Sequence, residues 1–114
     1  MNKRQQNHLK MFRAIASVFN SSESSWRHLE PVQESYTEFK TALQILERNA
    51  QHEQSSTQTP LAPVYLQSVF GLCRESVEIL DDLVKGLVDD LQFKEDYKRV
   101  RRRQERGTLK GELQ

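Results

Sequence analysis

Two long stretches of this sequence place apolar residues at alternating steps of three and four, and that spacing dictates most of what the chain can fold into. In residues 23–51 the row is Leu29, Val32, Tyr36, Phe39, Leu43, Leu46 and Ala50, and Trp26 extends it upstream by one more step of three. In residues 61–91 a row runs Leu66, Phe70, Cys73, Val77, Leu80, Val84, Leu87 and Leu91. A mean step of about 3.5 belongs to helix packed on helix, since a half-buried strand repeats every second residue.

The two stretches differ in how many rows they carry. In the first, Glu, Gln, Lys, Ser and Thr fill most of the other positions, which leaves a narrow seam. The second has a parallel row beside the first: Tyr65, Val69, Leu72, Ser76, Ile79, Leu83 and Gly86. Two rows on one helix call for two packing partners, so this stretch reads as the central helix. Ser76 and Gly86 leave room for a close backbone approach. The large members of the second row, with Gly86, form a candidate self-association face.

Residues 3–20 also carry two adjacent rows: Leu9, Phe12, Ala16 and Phe19 in one, Met11, Ile15 and Val18 in the other. Asn20-Ser21-Ser22 ends that helix, and Asn20 with Glu23 resembles a capping box opening the next. Pro31 should kink the second helix or mark its effective start. Residues 51–59 hold no large apolar side chain and read as a solvated loop. Thr59-Pro60 would open the third helix, unless Pro63 takes that role. After Leu91 the apolar phase jumps to Phe93, Tyr97 and Val100, which predicts a turn near residues 90–92 with Asp90 as a cap. A short fourth helix, about 93–105, follows. The expected fold is an all-α antiparallel helical bundle of three main helices plus a short C-terminal helix. Residues 1–106 form the single domain, and 107–114 form a disordered tail.

Bulk properties narrow the function. A chain of 114 residues holds one core. Its net charge of +1 hides an uneven distribution. Residues 1–22 carry four Lys/Arg and no acid; residues 23–93 carry five basic and twelve acidic groups; residues 94–114 carry eight basic and four acidic groups. No stretch approaches the ~18 apolar residues of a membrane span. Lys3, Arg4 and Lys10 are not followed by the apolar run of a secretion signal, and Cys73 has no second cysteine to pair with. A cytoplasmic location is expected.

Sites for chemistry are sparse. His8, His28 and His52 fall in different segments without close acidic partners, as surface or helix-end residues do. Asp81-Asp82 and Asp89-Asp90 flank an apolar row, where solvated carboxylates belong. The serines cluster in polar stretches, where they cap and solvate, and Cys73 lies inside a seam as a buried thiol. No cofactor, metal or catalytic residue is expected, and no enzyme. The run Lys98-Arg99-Val100-Arg101-Arg102-Arg103 with Arg106 is the one feature suited to an anionic partner. If helical, Arg99, Arg102, Arg103 and Arg106 share a face that could track phosphates, with Lys98 beside it. Pairing of these groups with the acidic middle segment is the competing reading.

Trp26, Pro31 and Phe39 form a Trp-x4-Pro-x7-Phe run, and Phe93, Tyr97, Arg99, Val100, Arg101 and Gly107 close the chain. Together these resemble both ends of a group of bacterial helical proteins common in Bacteroidetes. This chain is shorter than typical members, with an abbreviated middle. The group has no assigned activity, so the resemblance implies a helical fold and nothing about function.

The functional expectation therefore rests on the seams. Two helices of about 40–45 Å cannot both be covered by a first helix of about 27 Å. One row of the third helix should stay bare in a monomer. The chain is expected to act as a non-enzymatic structural or interaction module that forms a homodimer through that row. A protein partner of another kind is a further possibility, and a nucleic-acid-associated accessory protein using the Arg-rich end is the alternative.

Overall fold

The computed structural model describes residues 2–54 and 61–113, with side chains described up to residue 53 and from 61 to 103. The chain forms five helices: α1 (Lys3–Ser21), α2 (Glu23–Trp26), α3 (Glu30–Gln54), α4 (Pro63–Leu87) and α5 (Leu91–Leu113). Among the described residues there is no strand.

Local chemistry accounts for most of the boundaries. Asn2 and Gln5 form a reciprocal capping box at the start of α1, the Gln5 amide donating to Asn2 Oδ1 at 2.8 Å. At its end the Ser22 amide closes on the Val18 carbonyl. The expected box at Asn20 does not form. Asn20 lies inside α1, and its Oδ1 accepts the Tyr36 hydroxyl at 2.6 Å. The second long stretch divides at its proline. α2 is a single turn carrying Trp26, and α3 starts afresh at Glu30 with Pro31 in its first turn, where a missing amide proton costs nothing. The expected loop at 51–59 and the Thr59-Pro60 start fall largely outside the described residues. Pro63 opens α4, with Ala62 as its N-cap.

α4 ends at Leu87, four residues before its apolar row does. Val88 turns extended (φ −98°, ψ 122°) and is fully buried, and Asp90 caps α5 by accepting the Phe93 amide at 2.9 Å. α5 is longer than its apolar residues implied: it continues to Leu113 through Gly107 and Gly111. Each glycine weakens a helix by about 1 kcal/mol relative to alanine, and neither ends this one. The expected tail at 107–114 has its side chains outside the described residues.

The core follows the rows. α1 buries Leu9, Phe12, Ala16 and Phe19 of one row and Met11 and Ile15 of the other, with Val18 half-buried. α3 buries Val32, Tyr36, Phe39, Leu43 and Leu46, with Ala42 alongside. α3 and α4 make the most extensive backbone approach, α1 and α5 the next, and α1 meets α3 between those pairs. Arg13 of α1 reaches Glu47 of α3 at 3.4 Å. One end of the core is aromatic. Phe19, fully buried, stacks on Tyr36 at 4.9 Å and meets the edges of Trp26, Phe93 and Tyr97 at 5.0–5.6 Å. Each polar tip in this cluster has a partner: Trp26 Nε1 donates to the Phe19 carbonyl at 2.9 Å, and the Tyr97 hydroxyl donates to the Val77 carbonyl at 3.1 Å.

The molecule is flat. Its extents are 45 × 32 × 21 Å, the shortest being about two helix diameters. Its radius of gyration of 14.9 Å exceeds the value of about 13 Å for a compact chain of this length.

Candidate association face on α4

The two rows of α4 meet different surroundings. The inner row is buried from Leu66 through Phe70, Cys73, Val77 and Leu80 to Val84. Its expected last members, Leu87 and Leu91, are exposed, because the helix ends at Leu87. The second row divides along its length. Val69 is buried, and Ser76 and Leu83 are half-buried at the rim of the core. Tyr65, Leu72 and Ile79, each seven residues apart, are 49%, 56% and 44% exposed, and Gly86 continues them in the open. A straight helix turns about 100° per residue, so the members at 69, 76 and 83 lean onto the core while those at 65, 72, 79 and 86 face solvent.

Three more apolar residues extend this stripe. Val64 stands at its beginning, Leu87 at its end, and Leu91 just past it, Val64 and Leu91 being 77% exposed. From Val64 to Leu87 the stripe is about 35 Å long. Its outer margin is the row Ser68, Glu75 and Asp82, all exposed. A methyl group added at Gly86 would meet nothing within 4 Å, so the surface there is open.

Cys73 lies in the buried inner row of α4, about 100° around the helix from Leu72. Burial pushes its thiol up to about 12, which keeps it protonated and unreactive. His8 rests against Phe12 and Phe70, and burial, with Arg74 and Arg4 adding repulsion, holds its imidazole below the usual range. His28 is exposed and His52 half-buried. Among the described residues no group of three or more His, Cys, Asp or Glu gathers as metal ligands would. Among them, too, no helix is long and apolar enough to cross a membrane.

The basic end of the chain divides as well. Lys98, Arg99, Arg102 and Arg103 are exposed, and the side chain of Arg106 lies outside the described residues. Arg99, Arg102, Arg103 and Glu95 line an open depression of about 270 Å³. Arg99 pairs with Asp96 at 3.6 Å. Arg101, which that spacing set apart from the phosphate-tracking face, bonds Glu78 of α4 at 2.7 Å and is only 17% exposed.

Two polar anchors join the elements; Asn49 carried no pattern in the sequence, and Asp90 was expected as a cap. Asn49 is buried in α3, and its Oδ1 accepts the Leu61 amide at 2.8 Å, tying the end of α3 to the approach to α4. Asp90 accepts the Ser25 hydroxyl as well as the Phe93 amide, and these bonds hold its carboxyl below the usual carboxylate range. No family model, curated protein or solved structure matches the chain.

Proposed function

We propose that the protein is a non-enzymatic helical module that self-associates as a homodimer through the outer row of α4. In this reading α1, α3 and α4 are the main helices of an antiparallel bundle and α5 packs along α1. One observation carries the proposal: the six large apolar residues exposed among the described residues all lie on α4 or at Leu91 just beyond it. Scattered surface leucines are ordinary, but a continuous stripe on one helix marks a surface that another surface covers.

The chain exposes more surface than a compact monomer of its mass would. Its accessible surface is 7779 Å². A compact monomer of 13.4 kDa would expose about 6,500 Å². The surplus of about 1,300 Å² exceeds the roughly 800 Å² per partner that a standard interface covers. A single protonated thiol suits a reducing compartment, and we assign the module to the cytoplasm on that basis.

Light scattering coupled to size exclusion at micromolar concentration tests the proposal. The expected mass is twice the 13.4 kDa of the chain. Leu72→Glu and Ile79→Glu should each give a folded monomer. A native chain that stays monomeric on concentrating would refute self-association and leave a different protein as the occupant of the stripe. The second reading, a nucleic-acid accessory role, draws on the three exposed arginines around the depression on α5. A salt-sensitive gel shift with generic RNA and DNA, lost in Arg99→Ser/Arg102→Ser/Arg103→Ser, would favour it.

A further inference from the structure

We infer that His8 makes the contact between α1 and the start of α4 sensitive to acid: its neutral ring joins the two helices, and a proton taken up by that ring loosens them. This device operates whether or not the chain self-associates. His8 stands at the edge of a group of rings. Its imidazole lies 6.2 Å from Phe12 of its own helix and 6.5 Å from Phe70 of α4. Phe12 in turn meets Phe39 of α3 at 5.9 Å and Phe70 at 6.3 Å. The three phenylalanines are buried and His8 is half-buried. α1 and α4 make no extensive backbone approach of their own, so these rings are what join them here.

The surroundings oppose a charge on that ring. α1 holds no acidic residue, and α4 holds none from Pro63 to Arg74. Among the described residues, the charged groups that face the imidazole are Arg4 from α1 and Arg74 from α4, both cations. On α3, which packs beside both helices, Glu47 pairs with Arg13 and Glu53 accepts the Asn49 side-chain amide. Both phenylalanine centroids lie beyond the roughly 6 Å within which a cation gains from an aromatic face. Burial disfavours the imidazolium first and the two arginines add to it, while a bond to the Arg4 backbone works the other way; the balance lies below the ordinary 6.5. The unfolded chain therefore binds this proton more tightly. The contact is complete above 6.5 and weakens as pH falls through the lower folded value. Ordinary carboxylates titrate below that window.

Cys73 provides the readout, because it is buried three residues along α4 from Phe70. Its labelling by a dithiodipyridine, a reagent that works in mild acid, is compared with that of the unfolded chain at each pH. Between about pH 7.5 and about pH 5, the native chain should lose thermal stability and its relative labelling should rise several-fold. Proton NMR should give the His8 ring a lower midpoint in the folded chain than in denaturant. His8→Gln, neutral throughout, should flatten the labelling profile. The double variant His28→Gln/His52→Gln, which leaves His8 as the one imidazole, should keep the rise and carries the test if His8→Gln fails to fold. A folded midpoint at or above the unfolded one overturns the proposal. So does a native-like rise in His8→Gln, or Cys73 labelling that ignores pH in the native chain.

Discussion

α3 and α4 have the same length, 25 residues, and each carries an apolar row at heptad spacing. They end in opposite conditions. α3 turns one seam inward and surrounds it with Glu34, Thr37, Glu38, Thr41, Gln44 and Arg48, all exposed, and no large apolar residue of it is left in the open. α4 has a second row that its neighbours only partly cover, and Val64, Tyr65, Leu72, Ile79 and Leu87 remain exposed. The number of seams on a helix, and not its length or total apolar content, decides how many partners it needs. α3 leaves no large apolar residue exposed, and α4 leaves five.

The sharpest test of this contrast is chemical. The inner row of α4 should be as closed as any part of α3, so Cys73 should resist thiol reagents in native buffer. A thiol raised from 9.0 to about 12 has a thiolate fraction about a thousandfold lower at pH 8, and burial slows it further. Rapid labelling without denaturant would mean that the inner row is not sealed. Stability measurements come next. Phe39→Ala on α3 removes a fully buried ring, with an expected cost of about 3–5 kcal/mol in denaturant unfolding. Leu72→Ala on α4, tested on dilute monomer, should cost under about 0.5 kcal/mol, as exposed substitutions do. Comparable costs at the two sites would erase the distinction between the rows.

Smaller effects test how the two helices are joined. Asn49→Ala strips the Leu61 amide of its acceptor, and a loss of about 1–3 kcal/mol is expected. A neutral result would show that the α3–α4 connection holds without that bond. The smallest effect concerns Asp90 and pH. Its folded carboxyl is held below the ordinary 3.8 by Ser25 and Phe93, so its stabilisation is complete above that value and fades as pH falls through the lowered native one. Acid unfolding of Asp90→Asn should therefore show a weaker pH dependence below about pH 4 than the native chain. Identical acid profiles would remove Asp90 from the device that holds α5 against α2.

The rows and the Asp90 cap were legible in the sequence, and Pro63 stood there as the alternative to Thr59-Pro60, because each is written in periodicity or in a residue with a fixed local role. The two-sided character of α4 was legible for the same reason, although Val69 and Leu83 lean into the core while their neighbours at steps of three and four do not. What escaped has physical causes. Asn20 can cap a following helix or accept a bond from a distant hydroxyl, and only the arrival of Tyr36 decides which. Asn49 has the composition of a surface residue, and its role depends on where the chain returns at Leu61. The end of α4 was hidden because Val88 continues an apolar texture while leaving the helix, and Gly86, without the positive φ of a helix-ending glycine, does not mark the exit. Arg101 looked like one more cation in a basic run until Glu78 was placed beside it.

Trp26 is the sole tryptophan of the chain, and the single turn that carries it places its ring edge-on to both Phe19 and Tyr36. The protein thus contains one indole fluorophore, held in the aromatic end of the core. Its emission should be shifted to the blue in the folded chain and should follow the opening of that aromatic end. Tyr65, by contrast, stands on the outer face of α4 among the exposed residues. Selective excitation at the red edge isolates the indole, while tyrosine emission includes a contribution from the stripe. One unlabelled sample can therefore report separately on the interior and on the exposed face of α4.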